Sequence, residues 1–434
     1  MWTGSQPQSP SFDSLQPAVA PPLRPPSMAT AARGAWLRAS GCRAAAGSVR
    51  LPQAQHDAFA CSPGRLRSHA SAAAAPPPRQ LLFTPGPLTT SDAVKRRMAV
   101  DVGSRDGDFL TVAKRTRERL LRIAETSQED GYECILMQGA GSMALEAMLG
   151  SSIPRQGGKL LIVSNGSYGE RQEKICERAG IPFVAARHPW NAPVTAEMVS
   201  ALLDKHSAEG ITHVSMVHHE TTAGVLNAVE QVGGMLRSRH PQLKFIVDSI
   251  SSFGAYRLPA RAWNVHYLAG SGNKCIEGVP GFAFVIAHRD SLLEVEGCSR
   301  SLALDLQDQW RFMEKSGQFR FTPPTQSILG FDQALDEWDE EGGLEGRAGR
   351  YRENYNILAD GMQALGFQFF VQDAASRGFI ITTFQVPESQ KEKWDFNRFY
   401  DLLKESGFVI YPASLPPATA SGVAAFRVGN IGQL

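Results

Sequence analysis

The sequence predicts an α/β protein built on a doubly wound, mostly parallel sheet. The chain has 434 residues, of which 43% are hydrophobic and 20% are charged, as is typical of a globular enzyme with a large core. From Leu81 onward, short apolar runs alternate with stretches of helical period, and this alternation favours parallel strands joined by helical crossovers. A net charge of +1 gives no reason to expect nucleic acid as a partner, and no apolar run reaches the ~18 residues of a membrane-spanning helix.

Six strands and four helices are predicted for the main part of the chain. The strands are 134–137, 159–163, 211–217, 244–247, 266–269 and 282–287, and the helices are 110–125, 142–149, 168–179 and 228–238. The last strand follows too soon for a helical crossover, so we expect it to be antiparallel to its neighbour. Ligands of such sheets bind beyond the carboxyl ends of the strands, which is where we expect a functional site.

A second, smaller α+β domain is predicted after an acidic run that ends at Gly343. We place the large domain, with an N-terminal entry segment, at 81–341 and the small domain at 342–434. The small domain is predicted to contain helices 348–365 and 396–405 and strands 367–371, 379–384, 408–411 and 425–428.

Residues 1–80 differ in composition from the rest of the chain. They contain eight arginines, no lysine or glutamate and only two aspartates, and they are rich in Ala, Ser and Pro. This composition is typical of an organelle transit peptide, so we expect a disordered leader and a mitochondrial location, with a plastid as the alternative. A disordered extension without an address is the other interpretation. The six cysteines show neither a pairing pattern nor metal-ligand spacing, which indicates reduced thiols and no metal site.

A lysine and an aspartate in matched surroundings indicate the chemistry. Asp248 ends an apolar run, and Lys274 follows 26 residues later in a loop of small residues. Pyridoxal phosphate chemistry requires such a pair. The lysine forms a Schiff base with the cofactor aldehyde, and the acid keeps the pyridine nitrogen protonated so that the ring accepts electrons. Cys275 could be a reactive thiol, but a small residue that fills a tight site is the favoured interpretation.

Other segments are expected to meet the pair at the same edge of the sheet. Residues 138–142 follow a strand and open a helix, so their backbone N–H groups form a candidate phosphate cradle. Tyr168 offers an aromatic face for the pyridine ring, although it is equally an ordinary helix-start residue. Segment 219–224 could bond the 3′-oxygen of the cofactor. Arg427 lies on an otherwise apolar strand, where it is either part of a structural ion pair or a bidentate clamp for a substrate carboxylate.

From Leu82 to its end, the chain resembles the class V, fold-type I aminotransferases, and among them the branch that acts on 2-aminoethylphosphonate and pyruvate. The motifs that carry the resemblance are FTPGPLT at 83–89, ETT at 220–222, VD at 247–248, NKCIEGVPGF at 273–282, SRSL at 299–302, FTPPT at 321–325 and FRVGNIG at 426–432. The resemblance implies a large domain with a mostly parallel seven-stranded sheet, a small α+β C-terminal domain, and a homodimer with shared active sites.

The family pattern also implies roles for individual residues. Lys274 is the Schiff-base lysine and proton shuttle, and Asp248 pairs with the pyridinium. The implied cofactor-binding residues are these two together with Ala140, Gly141, Ser142, Thr221 and Thr322, the last reaching the phosphate held by the neighbouring subunit. Tyr168 and Asn273 are further candidates for cofactor binding. Arg427 receives the anionic group of the substrate.

Two departures from the family pattern concern the substrate loop and the C-terminus. Bacterial members carry Ser-Cys-Thr-Trp near residue 102, whereas this chain has valine there, followed by Gly103, Ser104 and Arg105. That loop is a candidate phosphonate-binding segment, with Arg105 as a hypothetical partner of the dianion. The chain also stops at Leu434, where relatives continue through a further helix, so we expect a truncated end and a less stable small domain.

The implied reaction moves the amino group of 2-aminoethylphosphonate to pyruvate and gives phosphonoacetaldehyde and L-alanine, a step of phosphonate catabolism. Alanine– or serine–glyoxylate aminotransferases share the skeleton and remain the alternative. A lyase such as a cysteine desulfurase needs a nucleophilic cysteine on a mobile loop, and no cysteine here has that setting. A cofactor-binding protein without catalysis is disfavoured because Lys274, Asp248 and Arg427 are all present.

Overall fold

The computed structural model describes residues 80–413, 415 and 424–434. The predicted leader therefore lies outside the described residues, apart from its last position. The described part contains fifteen strands and eleven α-helices. The strands are β1 (Leu81–Leu82), β2 (Tyr132–Gln138), β3 (Leu160–Ser164), β4 (Phe183–Arg187), β5 (His213–Val217), β6 (His219–Glu220), β7 (Val225–Leu226), β8 (Lys244–Asp248), β9 (Tyr267–Ser271), β10 (Phe282–His288), β11 (Gln368–Phe369), β12 (Ile381–Gln385), β13 (Phe408–Val409), β14 (Tyr411–Pro412) and β15 (Ala425–Gly429).

The helices precede, separate and follow the strands of the main sheet. They are α1 (Asp92–Met98), α2 (Gly107–Ile123), α3 (Gly141–Ser152), α4 (Ser167–Ala179), α5 (Ala196–Lys205), α6 (Val229–Arg239), α7 (Arg289–Glu294), α8 (Leu306–Ser316), α9 (Thr325–Glu340), α10 (Gly343–Ala364) and α11 (Phe396–Glu405). The predicted helices at 110–125, 142–149, 168–179 and 228–238 correspond to α2, α3, α4 and α6, with small shifts at their ends.

A seven-stranded sheet forms the centre of the molecule, in the order β2-β10-β9-β8-β5-β3-β4. β4, β3, β5, β8 and β9 are mutually parallel. β10 is antiparallel to both of its neighbours, β9 and β2, as its short connection predicts. The predicted mostly parallel sheet is therefore confirmed, and the single reversed strand leaves the other six with their carboxyl ends on the same edge.

The strands of this sheet are buried because helices cover both faces. Every residue of β3, β5 and β9 is buried, which explains why apolar residues predominate in their sequences. β4 was not predicted. It is the edge strand next to β3, and four of its five residues are half-buried or exposed, so the segment Phe183–Arg187 shows no sustained apolar run.

A smaller four-stranded sheet has the order β11-β12-β15-β14, with antiparallel neighbours throughout. The strand predicted at 408–411 is wrong as a single element. Residues 408–409 form β13, which pairs in parallel with β1 of the entry segment, whereas 411–412 form β14, which pairs with β15. The chain changes sheets at Ile410, a buried residue that belongs to neither strand.

The predicted boundary between a large and a small domain falls between α9 and α10, and it remains a prediction. The described residues, 80–413, 415 and 424–434, belong to one compact unit. A buried polar cluster lies next to this boundary. The fully buried guanidinium of Arg347, on α10, bonds Glu341 at 2.6 Å and donates to the carbonyl of Cys275, one residue after Lys274. Tyr351 donates to Glu277 at 2.5 Å.

The described cysteines, Cys134, Cys176, Cys275 and Cys298, are free thiols. Burial raises the pKa of Cys275 to about 12, and its thiol donates to the Ser251 carbonyl at 3.1 Å, which is the setting of a packing residue and not of a nucleophile. In the described part of the chain, no helix has the length and apolar character needed to cross a membrane.

We expect Arg347→Leu to lower the free energy of unfolding by about 1–3 kcal/mol, because it removes a buried guanidinium that bonds Glu341 and the Cys275 carbonyl, while Arg350 still pairs with the carboxylates. Urea unfolding followed by circular dichroism measures the change. Arg311→Ala is the matched control, since it removes an arginine from the exposed ion pair with Glu296 and should change the unfolding midpoint little. Equal midpoints for the two variants would contradict a stabilising role for the buried cluster.

Candidate active site

The predicted site residues follow strands that end on the same edge of the main sheet. β5 and β8 are in register, with Val217 opposite Asp248, and Asp248 is opposite Ala269 of β9. The loop with Lys274 leaves β9 at this edge, and the loop that opens α3 leaves β2 there. The topology therefore brings distant segments together at the place where parallel sheets bind ligands.

Lys274 is held at this edge by the entry segment. Its Nζ donates to the carbonyl oxygen of Pro85 at 2.6 Å. Gly86 has a φ of +123°, and a Cβ at that position would lie 2.7 Å from Lys274 Nζ, so only glycine leaves room for the amine. Burial lowers the pKa of Lys274 to about 8, despite the opposing effect of Asp248. At pH 7 roughly a tenth of the amine is therefore neutral, a far larger fraction than for a lysine in water.

Asp248 ends β8 and is almost completely buried. Its Oδ1 accepts a hydrogen bond from the backbone N–H of Ile250 at 3.0 Å. Its Oδ2 is buried and has no hydrogen-bond partner among the described residues. Burial raises the pKa of Asp248 to about 6. An unpartnered buried carboxylate oxygen is costly, so this atom is a site for a ligand donor.

The amino end of α3 approaches Asp248 closely. A Cβ on Gly141 would lie 2.8 Å from Cγ2 of Ile250, so glycine allows the helix to reach the loop after β8. Ala140, the N-cap residue, provides no side-chain cap. Ser142 Oγ accepts a hydrogen bond from Arg171 at 2.8 Å. Open N–H groups, a hydroxyl and a guanidinium at a helix N-terminus form an anion-binding site.

Arg171 is a site residue that the sequence analysis missed. Its guanidinium lies over the ring of Tyr168 at 4.7 Å, in addition to its bond with Ser142. Burial has the largest effect on both neighbouring groups, raising the pKa of Asp248 and lowering that of Lys274. The positive charge of Arg171 has a smaller effect and lowers the pKa of both. Arg171 could have been found from its distance to Tyr168 in the sequence, because residues three apart on a helix lie on the same face and Tyr168 was already a candidate.

Thr221 and Arg427 meet on the other side of the site. The Nη1 of Arg427 donates to the Thr221 carbonyl at 3.3 Å, and its Nε donates to the Pro412 carbonyl at 3.1 Å. The Tyr168 side chain also hydrogen-bonds the guanidinium, and burial lowers the pKa of Arg427. The hydroxyl of Thr221 is buried, and no group in the described ranges bonds it.

The remaining candidates are Asn273, next to the lysine, and four residues of two other loops. Asn273 Oδ1 accepts a hydrogen bond from Ser271 at 2.7 Å beside Lys274. Ser104, Arg105 and Thr322 line one cleft of about 320 Å³, and Gly103 donates to Asp106 at 3.0 Å next to it. Within the described residues, no hydrogen bond or ion pair joins Arg105 or Thr322 to Lys274 or Asp248.

Comparison with known proteins identifies the family. The model of the class-V aminotransferases matches residues 71–406. The 2-aminoethylphosphonate–pyruvate transaminase of Klebsiella pneumoniae is 44% identical over 82% of this chain and 93% of its own length. The corresponding enzyme of Bacteroides fragilis is 42% identical over 82% of this chain and 94% of its length. The same 82% of the chain aligns at 41% identity with 54% of a bifunctional phosphonoacetaldehyde hydrolase/aminoethylphosphonate transaminase from Clostridioides difficile.

The mitochondrial location, with a plastid as the alternative, is contradicted by these relatives. They come from bacteria, which have neither organelle. The expectation rested on the arginine-rich, acid-poor composition of residues 1–80, and composition alone does not specify an import address.

Solved structures share the fold at low sequence identity. An alanine–glyoxylate aminotransferase from Nostoc sp. superposes with a TM-score of 0.72 at 23% identity, covering 82% of this chain and 91% of its own. A pyridoxamine–pyruvate aminotransferase from Mesorhizobium loti gives 0.71 at 20% identity, covering 82% and 87%. With its family match over most of its length and the pair Asp248 and Lys274 at the edge of its main sheet, this chain belongs to the class-V aminotransferases, the pyridoxal-phosphate-dependent family that includes the 2-aminoethylphosphonate–pyruvate transaminases.

Proposed function

We propose that this transaminase moves the amino group of 2-aminoethylphosphonate to pyruvate and releases phosphonoacetaldehyde and L-alanine. Relatives of that name, which align over more than nine-tenths of their length, support the substrates. One structural observation carries the chemistry. A buried lysine amine with its pKa lowered to about 8 occupies the same sheet edge as a buried carboxylate whose Oδ2 is unbonded among the described residues.

The free polar atoms of the site fit pyridoxal phosphate. We propose that Asp248 Oδ2 accepts a hydrogen bond from the protonated ring nitrogen and that the Thr221 hydroxyl donates one to the ring oxygen. Both atoms are buried without partners in the described part of the chain. The phosphate would lie at the N-terminus of α3, against Ala140, Gly141 and Ser142.

Three further residues complete the proposed cofactor site. Arg171 would add a positive charge beside Ser142, to which it is already bonded. Tyr168 would cover one face of the ring, and Asn273 would lie beside the lysine. When bound, pyridoxal phosphate supplies a carbonyl carbon for an amine and a ring that stabilises negative charge on the neighbouring carbon.

Lys274 would serve as the proton carrier of the reaction. A neutral amine is needed to take a proton from the amino-bearing carbon of the substrate, and burial provides it by lowering the pKa of Lys274. The Pro85 carbonyl at 2.6 Å gives Nζ a defined resting position from which it reaches the reacting carbon. Asp248 would keep its negative charge beside the ring nitrogen throughout the reaction.

Arg427 would bind the anionic end of both substrates. Its guanidinium is buried and oriented by the carbonyls of Pro412 and Thr221, so its position is fixed before a substrate arrives. Phosphonate and carboxylate groups both present coplanar pairs of oxygens to a guanidinium, which allows one arginine to accept either substrate in turn.

We also propose a homodimer in which Thr322 approaches the cofactor phosphate of the neighbouring subunit. Gln138 donates to the Phe321 carbonyl at 3.0 Å, which links the Thr322 segment to the strand that leads into the α3 loop. Phe321 is 45% exposed, so an apolar ring next to Thr322 remains available for a second subunit. In this proposal, α10 and the four-stranded sheet act as the small domain.

Donor profiling tests the proposed function. Purified full-length holoenzyme is mixed with 2-aminoethylphosphonate, alanine or serine, and the cofactor absorbance reports transfer of the amino group in a single turnover. We expect rapid transfer from 2-aminoethylphosphonate, reversed by pyruvate, and none in the Lys274→Ala variant. Preferred transfer from serine, or from alanine with glyoxylate as the better acceptor, would instead assign the chain to the glyoxylate-dependent branch.

Cofactor affinity should depend on the charge of Asp248. In the free protein, the pKa of this carboxyl is raised to about 6 by burial, so it is negative above pH 6 and becomes neutral as the pH falls below it. We expect the dissociation constant of pyridoxal phosphate to rise as the pH falls from 7 to 5, because a neutral carboxyl does not attract a protonated ring nitrogen. Fluorescence titration measures it.

Asp248→Asn is the control for this titration, because the cofactor itself also titrates in this range. The variant should bind pyridoxal phosphate weakly at every pH and show only the pH dependence of the ligand. An identical pH dependence in the two proteins would exclude Asp248 as the partner of the ring nitrogen.

Arg105 should affect the phosphonate substrate selectively if it approaches the dianion. We expect Arg105→Ala to raise the Michaelis constant for the phosphonate donor by about tenfold, through loss of a charge-assisted hydrogen bond, and to change that for pyruvate much less. Steady-state kinetics with each substrate varied in turn measures both constants. Arg257→Ala, which removes another exposed arginine, is the control. An unchanged Michaelis constant for the phosphonate would remove Arg105 from the substrate site.

A further inference from the structure

Glu220 is a buried carboxylate beside the site, and the proposed mechanism gives it no role. Glu220 ends β6 and is completely buried. Its Oε2 accepts hydrogen bonds from the backbone N–H groups of Tyr168 at 3.2 Å and Gly169 at 3.3 Å. Its Oε1 accepts one from the Thr222 N–H at 3.1 Å and another from the Thr222 hydroxyl. Four donors therefore point at one carboxylate, an arrangement that suits the charged form.

Two of these donors belong to the first turn of α4, which has no side-chain cap from its own N-cap residue, Gly166. Thr222 Oγ1 accepts from the N–H of Ser167 at 3.2 Å, and Glu220 accepts from the next two. A Cβ on Gly166 would overlap the Glu220 side chain, so glycine permits this close approach. Glu220 and Thr222 thus cap α4 from a distant strand.

The capped turn carries residues of the candidate site. Tyr168 lies in this turn, and Arg171 is one turn farther along α4, with its guanidinium over the tyrosine ring and bonded to Ser142. The Tyr168 side chain also bonds Arg427. The position of the first turn therefore determines where the Tyr168 ring lies relative to Arg171 and Arg427.

We infer that Glu220 is a positioning residue for the reaction. Its carboxylate fixes the first turn of α4 and thereby holds Tyr168 and Arg171 in place for the cofactor and the substrate. The inference rests on the proposed function only in that it takes Tyr168 and Arg171 as cofactor contacts. A negative charge is also favourable at the amino end of a helix. Burial raises the pKa of Glu220 to about 7, and the hydrogen bonds from Thr222 and Gly169 oppose that effect.

Glu220→Gln tests the inference because an amide cannot accept hydrogen bonds through both of its terminal atoms. In the variant, the NH₂ group of the glutamine faces either the two N–H groups of α4 or the two donors of Thr222. Those two donors then have no acceptor. We expect the amides of Tyr168 and Gly169 to exchange with deuterium about tenfold faster in the full-length protein. We also expect the dissociation constant of pyridoxal phosphate to rise about tenfold, with a lower kcat for both half-reactions.

Glu173→Gln is the matched control. Glu173 is a buried carboxylate on the same helix, but in the described structure it accepts hydrogen bonds from Arg187 and Ser164 and not from the N–H groups of the first turn. A purely structural role for Glu220 predicts the same loss of thermal stability and the same unchanged kinetic constants in both variants, and that result would overturn the inference. Faster exchange and weaker cofactor binding in Glu220→Gln alone would support it.

A double-mutant cycle shows whether Glu220 acts through Tyr168. Measured as the cofactor dissociation constant, the effect of Glu220→Gln should be clearly smaller in a Tyr168→Ala background, and equal effects in both backgrounds would contradict the inference. If Glu220→Gln does not fold, Thr222→Val is the second variant. It removes one donor to Glu220 and the cap of Ser167, and it should also speed exchange at 167–169 and weaken cofactor binding. Unchanged exchange and affinity in Thr222→Val would overturn the inference.

These measurements are independent of the amino donor. If donor profiling assigns another substrate, the exchange and affinity results still decide the role of Glu220. If they fail, the substrate assignment is unaffected.

Discussion

The burial of two opposite charges at one sheet edge is the constraint on which the site depends. Asp248 ends β8 and is almost completely buried, and Lys274, in the loop after the neighbouring strand β9, is partly buried, with its amine largely desolvated. For each group the largest effect on the pKa is burial, which exceeds their mutual attraction and brings both values toward neutrality, to about 6 and about 8. Near pH 7 the acid is therefore largely charged and about a tenth of the amine is neutral, a neutral fraction far larger than that of a lysine in water.

Segments from much of the chain hold the lysine in this position. The entry segment contributes the Pro85 carbonyl, which accepts a hydrogen bond from Nζ. The loop after the lysine is tied to α10 and to the C-terminal residues, because Glu277 accepts hydrogen bonds from Tyr351 and Gln433 at 2.5 and 2.7 Å and pairs with Arg350 at 2.8 Å. The position of Lys274 thus depends on contacts with the entry segment, with α10 and with the last residues of the chain.

The sequence was sufficient for most of the main sheet but for only part of the site. Strands that are buried on both faces have continuous apolar sequences, so they were found. The edge strand β4 is half-exposed and was not. Asp248 and Lys274 were recognisable because each follows a buried strand in a distinctive motif. Arg171 was not identified, because an arginine on an amphipathic helix resembles a surface residue. Glu220 was included only as part of the segment 219–224, and its capping role was missed because the N–H groups it caps on α4 are about fifty residues away in the sequence.

The most direct test of this account is the pKa of the Lys274 amine in the cofactor-free protein. Competitive labelling of lysine amines by a small acylating reagent, quantified by mass spectrometry across pH 6–11, follows the neutral fraction at each lysine. The account predicts a midpoint near 8 for Lys274, because burial disfavours the charged form. A midpoint near the ordinary lysine value of about 10.4 would contradict the claim that burial prepares this amine for proton transfer.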